Sequence, residues 1–203
     1  MFLLRALLYL IVVSVVAILI DMEGYQLHTH AQYSEHTLTE HLQDLLTFSS
    51  CMLFLWAAKL DNASNIIGKI LAALLAMMFV RESDSLLDHH VFDGAWQILV
   101  CMIFIALICS LRGQLSQIYK ALKAYTTLPS YGVFLSGFIT LVAFSRLMGR
   151  GSFWQAVMGE QYVRIVKNIV EEGTETLGYT LILLSAIELV ISAYQKRRQT
   201  ING

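Results

Sequence analysis

The chain alternates between long apolar runs and shorter polar segments, and this pattern predicts helices that cross a membrane. An α-helix of about 20 mainly apolar residues spans the hydrocarbon core of a bilayer. Six such segments are predicted, at residues 2–20, 45–60, 66–82, 95–111, 131–147 and 176–194. We therefore expect an all-α protein in which residues 1–203 form a single integral membrane domain, a bundle of about six transmembrane helices.

The first apolar run, residues 2–20, has two interpretations. One is a secretory signal peptide that is later removed. The other is an uncleaved first span. No Ala-x-Ala-like cleavage site precedes Asp21, and the run is long enough to span a membrane. We favour the uncleaved span.

The polar segments between the spans carry further signals. Residues 112–130, which include Lys120 and Lys123, are expected to form a loop. Residues 149–151 (Gly-Arg-Gly) break the helix of the fifth span, and residues 152–158 then fit a short helix lying in the membrane interface. From Tyr162 an amphipathic helical pattern runs into the sixth span. Its polar stripe consists of Arg164, Asn168, Glu171 and Glu175.

Small residues recur at every fourth position in two of the predicted spans. In the third span they are Gly68, Ala72 and Ala76, and in the fifth they are Gly132, Ser136 and Thr140. Such stripes let a neighbouring helix approach closely. They serve either packing within the chain or contact with a partner helix.

Lysine and arginine set the expected orientation, because cytoplasmic loops carry an excess of them. With the N-terminus inside, nine of the fourteen basic residues lie on the cytoplasmic face and five on the other face. Four of those five lie in residues 146–172, so a five-span arrangement with that loop inside is the alternative. We expect a multi-pass protein of the bacterial inner membrane type, with cytoplasmic N- and C-termini.

Composition supports a membrane environment and excludes some functions. The chain is 57% hydrophobic and 14% charged, whereas soluble proteins are about 45–50% apolar and about 25% charged. The three cysteines all lie in apolar segments, so we expect no disulfide. The net charge is −1 and there is no basic arm, which argues against a nucleic-acid partner.

Ionisable groups are distributed unequally in this topology. All six histidines and thirteen of the fifteen acidic residues fall on the non-cytoplasmic side. Acidic residues contribute little to orientation, so this segregation is an independent observation. The centres of the second to sixth predicted spans carry no charge, which disfavours an ion-translocating carrier. We expect the tips of the second, third, fifth and sixth helices to form one ionic rim.

The rim predicts a binding site. Carboxylate and imidazole groups suit a divalent metal ion. The candidate ligands are Glu82, Asp88, His89, Glu171, Glu172, Glu175, Glu40 and His41. The alternative is a set of structural ion pairs between four basic and four acidic residues, namely Arg81, Arg146, Arg164 and Lys167 with Asp84, Asp88, Glu171 and Glu175. On one continuous helix, Arg81, Asp84 and Asp88 would share a face.

Three functional hypotheses follow. In the first, the rim binds a divalent cation or a cationic ligand. In the second, the protein is an accessory or scaffolding subunit, or a homo-oligomer, whose rim docks membrane-protein partners. The third is an interfacial hydrolase that uses metal-bound water, although no catalytic constellation is evident. A divalent metal is the only cofactor considered, and the lipid bilayer is the expected environment.

Overall fold

The computed structural model describes residues 2–27 and 38–202. Every regular element in these two ranges is a helix, and they contain no β-strand. The predicted all-α class is therefore confirmed. His28, His30 and His36 lie outside the described residues.

The chain forms ten α-helices in its described part. They are α1 (Phe2–Leu27), α2 (Leu38–Leu60), α3 (Asn62–Glu82), α4 (Asp84–His90), α5 (Ala95–Ser110), α6 (Leu115–Tyr125), α7 (Pro129–Ile139), α8 (Arg146–Met148), α9 (Gly151–Met158) and α10 (Arg164–Asn202). A π-helical stretch, Thr140–Ser145, joins α7 to α8. A 3-10 turn, Gly159–Gln161, follows α9.

Several of these helices are long and apolar enough to cross a membrane. Four meet this description in the described residues, namely Leu3–Met22, Asn62–Glu82, Pro129–Met148 and Arg164–Gln199. They correspond to the first, third, fifth and sixth predicted spans. A fifth candidate is the pair α5 and α6, which is bent by 102°. Helix α2, which contains the second predicted span, is not among them.

Other predictions about local structure met different outcomes. The predicted break at residues 149–151 is present between α8 and α9. The short helix after the break is α9, and the long final helix is α10. Residues 112–130, however, are not a loop, because they contain α6. The expected continuous helix through Arg81 and Asp88 is also wrong, since α3 ends at Glu82 and α4 begins at Asp84.

The chain divides into two compact units. Unit 1 consists of Met1–Gln43 and Leu135–Ile182, and unit 2 consists of Asp44–Phe134 and Leu183–Gly203. In unit 1, the end of α7 packs closely on α10, since a Cβ at Gly137 would lie 2.7 Å from the carbonyl oxygen of Gly178. Gly137 therefore makes the close contact, whereas Gly132 and Ser136 of the predicted stripe are exposed.

In unit 2, α3 packs against α2 through its predicted small-residue stripe. A Cβ at Gly68 would lie 2.6 Å from the carbonyl oxygen of Phe54 and 2.8 Å from Cβ of Ala58. One turn further along, the Cys51 thiol donates to the carbonyl oxygen of Ala72 at 3.3 Å. Helix α3 also packs against α5 and α6. The stripe on α3 thus serves packing inside the unit.

Candidate functional site

The predicted site residues belong to two different units. Glu40, His41, Arg146, Glu171, Glu172 and Glu175 lie in unit 1, whereas Arg81, Glu82, Asp84, Asp88 and His89 lie in unit 2. That all of them share one rim stays a prediction.

In unit 1, the side chain of Gln43 joins the start of α2 to α10. Its Nε2 donates to the carbonyl oxygen of Glu172 and to the Thr176 hydroxyl, both at 3.1 Å. Gln43 is only 7% exposed, and Thr176 is fully buried. Because Glu40 and His41 precede Gln43 by less than one turn, they lie at the same end of unit 1 as Glu172.

The side chain of Glu171, on α10, lies between Lys167 of the same helix and Gly149 at the end of α8. Its carboxylate forms an ion pair with Lys167 at 2.6 Å, one turn earlier on the same helix. The same carboxylate lies against the backbone of Gly149, where an added Cβ would overlap Oε1. Both charged side chains of the pair are mostly buried. This is one of the ion pairs expected under the structural alternative.

We define the α2–α10 polar cluster as the side chains that these contacts bring to one end of unit 1. Its members are Glu40, His41, Gln43, Lys167, Glu171, Glu172, Glu175 and Thr176. Glu40 and His41 are exposed, whereas Glu172 and Glu175 are half-buried. Arg146 is exposed on α8, whose C-terminal Gly149 adjoins the cluster. Four carboxylates and one lysine make this end of the unit acidic.

In unit 2, the predicted site residues have mainly local roles. Arg81 forms an exposed ion pair with its neighbour Glu82 at 3.4 Å rather than with Asp84. The backbone turns at Ser83 (φ −87°, ψ 17°), which ends α3 and separates Arg81 from the face that carries Asp88. Asp88 instead accepts a hydrogen bond from the Gly94 backbone N–H at 3.0 Å.

This hydrogen bond, which the Asp88 carboxylate accepts, stabilises the turn that precedes α5. Gly94 has φ 86°, a conformation that favours glycine, and it is the N-cap residue of α5. The adjacent His89 ring is exposed and packs edge-on against His90, with centroids 5.0 Å apart. Asp88 therefore already has a structural role in forming the α4–α5 corner.

A protein site for a divalent metal usually needs three or more ligands that converge on one point. Among the described residues, no group of three or more His, Cys, Asp or Glu side chains is arranged to hold a metal ion. Metal binding, and the hydrolase hypothesis that depends on it, stay predictions.

Sequence reasoning missed a buried polar stripe along α2. Thr39, Gln43, Thr47 and Ser50 are all buried, at helical spacing on one face. Every fully buried side-chain nitrogen and oxygen atom in the described residues has a hydrogen-bond partner. The spacing i, i+4, i+8, i+11 is visible in the sequence, but neutral hydroxyl and amide side chains carry no charge that distinguishes them from the polar residues of an exposed helix face.

A second missed feature is a hydroxyl cluster in unit 2. Ser130 Oγ donates to the carbonyl oxygen of Ser185 at 2.9 Å, and Ser185 Oγ donates to that of Ser130 at 3.0 Å. The Tyr125 hydroxyl lies 3.1 Å from Ser130 Oγ. Three residues beyond Ser185 on α10, Glu188 is only 1% exposed. Glu188 could have been noticed in the sequence, because it is an acidic residue inside the predicted apolar span 176–194.

Comparisons with protein-family models, with curated proteins and with solved structures found no match. Because no comparison indicates a family, the structural class of this protein is stated from its fold. It is an all-helical protein, over its described residues, in which several helices could span a membrane.

Proposed function

We propose that this chain is a six-span integral membrane protein whose α2–α10 polar cluster, at the non-cytoplasmic end of unit 1, binds a cationic ligand. The single observation that carries the ligand proposal is the Gln43 bridge. By joining α2 to α10, it assembles acidic residues from two distant parts of the sequence at one end of unit 1.

Four spans each meet the requirement for length and apolarity without a neighbouring helix. The six-span topology adds α2 and α5 to these four. Helix α2 has 23 residues, which corresponds to about 35 Å at 1.5 Å per residue. That exceeds the roughly 30 Å hydrocarbon core. Its polar residues lie largely on one buried face, so an apolar face is left for lipid. In this topology the loops on the side of the termini carry the excess of Lys and Arg, which supports cytoplasmic N- and C-termini.

The α2–α10 polar cluster supports a cationic ligand better than a bare metal ion. Beside the Lys167–Glu171 pair, Glu40, Glu172 and Glu175 bring three further carboxyl groups to the same end of unit 1. An acidic surface raises the local concentration of cations. A divalent metal needs oxygen ligands at roughly 2.0–2.6 Å, and the described donors do not converge in this way. An organic polycation can contact carboxylates spread over a wider surface.

The topology is tested by labelling single cysteines from either side of sealed vesicles. In a cysteine-free variant, Lys123→Cys on α6 should react from the cytoplasmic side and Glu160→Cys, after α9, from the opposite side. Both positions are exposed. Labelling of both from one side would contradict the six-span topology and favour the five-span alternative.

Ligand binding is tested by calorimetric titration of the purified protein with spermine and, separately, with Zn²⁺ and Mg²⁺. We expect spermine to bind the wild type and to bind Glu172→Gln and Glu175→Gln at least about five-fold more weakly, a loss of about 1 kcal/mol per charge contact. Glu160→Gln, an exposed acid of unit 1 outside the cluster, is the matched control. Equal spermine affinity in all variants, or none in the wild type, would contradict the proposal.

A second candidate function is that of an accessory subunit in a larger membrane complex. Over the described residues, α1 and α5 leave most of their apolar side chains exposed. Val16 is the only buried residue among the described side chains of α1, and Ala95 is the only one in α5. Their remaining apolar surface is available to lipid or to a partner helix.

Mild detergent extraction followed by mass measurement tests this candidate. The accessory hypothesis expects a defined complex that dissociates when Ile105→Trp enlarges the exposed face of α5. Met52→Trp, on an exposed face of α2, serves as the control for a bulky substitution. A monodisperse single chain after mild extraction would count against the accessory role.

A further inference from the structure

A cavity of about 260 Å³ lies in unit 2 between α2, α3 and α5. Its walls are mainly small and apolar, with Ala72, Ala73 and Ala76 on α3 facing Ala106 on α5. Because α3 and α5 pack together and are joined through the short α4, they run in opposite directions. The first wall residue on α3, Lys69, therefore lies at the same end as Ser110, the last on α5.

Among the described residues that line this cavity, Lys69 is the only charged one. It is half-buried, and in the part of the chain that the structure describes it forms no hydrogen bond or ion pair. A cation held against an apolar wall is costly unless an anion compensates it. The cavity thus combines an apolar body with one positively charged end.

Helix α6 indicates the depth of this charged end in a membrane. It follows α5 after a short turn and is bent from it by 102°. It carries an exposed apolar stripe, Leu115, Tyr119 and Leu122, next to two lysines. If α5 crosses the bilayer, a helix at right angles to it lies along the surface, and this composition fits the interface. Ser110 and Lys69 then lie near the depth of the lipid head groups.

We infer that this cavity binds an anionic phospholipid, with its phosphate at Lys69 and part of one acyl chain along the alanine wall. The inference rests on the proposed membrane location. From residue 69 to residue 76 the wall is about 10 Å long, a third of the hydrocarbon core. The volume lies just below the roughly 300–1,000 Å³ of typical ligand pockets. A segment of one chain fits, while the rest of the lipid stays in the bilayer.

The test measures lipid binding to the purified, delipidated full-length protein by native mass spectrometry. The probes are phosphatidylglycerol, phosphatidylcholine with the same acyl chains, and inorganic phosphate as a competitor. Wild type is compared with Lys69→Gln, with Lys69→Arg, which keeps the charge, and with Ala106→Phe, which fills the cavity from an exposed position. Lys59→Gln removes an exposed cation of α2 that does not line the cavity, and it is the matched control.

We expect wild type, Lys69→Arg and Lys59→Gln to prefer phosphatidylglycerol, and Lys69→Gln to lose about five-fold or more of that preference. Ala106→Phe should bind both lipids more weakly. Equal binding of the two lipids by wild type, or an unchanged preference in Lys69→Gln, would overturn the inference. Displacement of the lipid by millimolar phosphate would also overturn it, in favour of a simple anion site.

Carbonate extraction of membranes before purification separates this inference from the proposed function. Release of the protein into the soluble fraction would refute the membrane location itself. Retention in the membrane without a preference for anionic lipid would refute only the lipid site.

Discussion

The carboxylate of Glu171 lies directly against the backbone of Gly149, in space that any larger residue at position 149 would occupy. Lys167 pairs with the same carboxylate. This contact between the end of α8 and the first half of α10 explains why glycine stands at the break between α8 and α9. It connects the glycine that ends α8 to an ion pair within α10.

Gly149→Ala should push the Glu171 side chain away from Lys167 and destabilise the protein by about 1 kcal/mol, the typical size of a point-mutation effect. The loss is modest because the displaced group is the end of a flexible side chain. In a Glu171→Ala background the same substitution should cost much less, since the overlapping atoms are gone. The free energy of unfolding in mixed micelles measures both effects.

Gly132→Ala is the control for this cycle, because a Cβ there meets nothing within 4 Å. The extra methyl group should leave stability unchanged or raise it by up to about 1 kcal/mol through helix propensity. An additive combination of the substitutions at positions 149 and 171 would contradict the assigned contact.

Gly68→Ala should be more damaging than Gly149→Ala, because the added Cβ would meet the backbone carbonyl of Phe54 and the Cβ of Ala58. Neither atom can rotate away, so α2 and α3 must separate. We expect a loss of about 1–3 kcal/mol in unfolding free energy, the usual cost of overpacking. Gly24→Ala in α1, where a Cβ has no neighbour within 4 Å, should be close to neutral. Similar melting temperatures for these two variants would contradict the packing described for α3.

Gln43→Leu keeps side-chain volume but removes the two hydrogen bonds to α10. We expect a loss of about 1–3 kcal/mol, from roughly 0.5–1.5 kcal/mol for each bond. If the α2–α10 polar cluster binds spermine, affinity should fall as well, although no charge has been changed. The exposed Gln117→Leu on α6 is the matched control and should change neither quantity. Unchanged stability in Gln43→Leu would show that the bridge is unimportant.

Tyr125→Phe removes a hydroxyl that lies 3.1 Å from Ser130 and 3.5 Å from Ser185. The reciprocal bonds between the two serines persist, so the cost should stay near 0.5–1.5 kcal/mol. Ser130→Ala should cost more, because it breaks the bond to the Ser185 carbonyl and also removes the nearer partner of the Tyr125 hydroxyl. Thermal unfolding of the single and double variants ranks them, and the reverse order would contradict the network.

The sequence allowed good prediction wherever a signal was local and repeated. The amphipathic pattern from residue 162 merges with an apolar run, and α10 is indeed one helix, Arg164–Asn202. The glycines at 149 and 151 end one helix and begin another, as expected. The stripe of small residues from Gly68 packs against α2. In each case several residues along the segment indicate the same local structure.

Prediction failed where one residue or a tertiary contact decides the outcome. The turn at Ser83 interrupts a charge pattern that only a continuous helix would align. Of the small residues in α7, Gly137 meets α10, and periodicity alone pointed to Gly132 and Ser136 instead. Lys120 and Lys123 suggested a loop, although the apolar residues between them fit the amphipathic α6. The convergence of the ionic tips depends on how helices pack, which spacing along the chain does not specify.

The buried Glu188 has a consequence for how the protein is made. Insertion of an ionisable side chain costs roughly 2.5–3.5 kcal/mol at the centre of a lone transmembrane helix, and Glu188, inside the predicted sixth span but past its uncharged centre, carries part of that cost. Helix α10 is synthesised after the segment that carries Ser130, so its neighbours in unit 2 have already emerged from the ribosome when Glu188 does. Biogenesis of α10 should therefore depend on them, and the isolated segment should insert less efficiently than the same segment with leucine at that position.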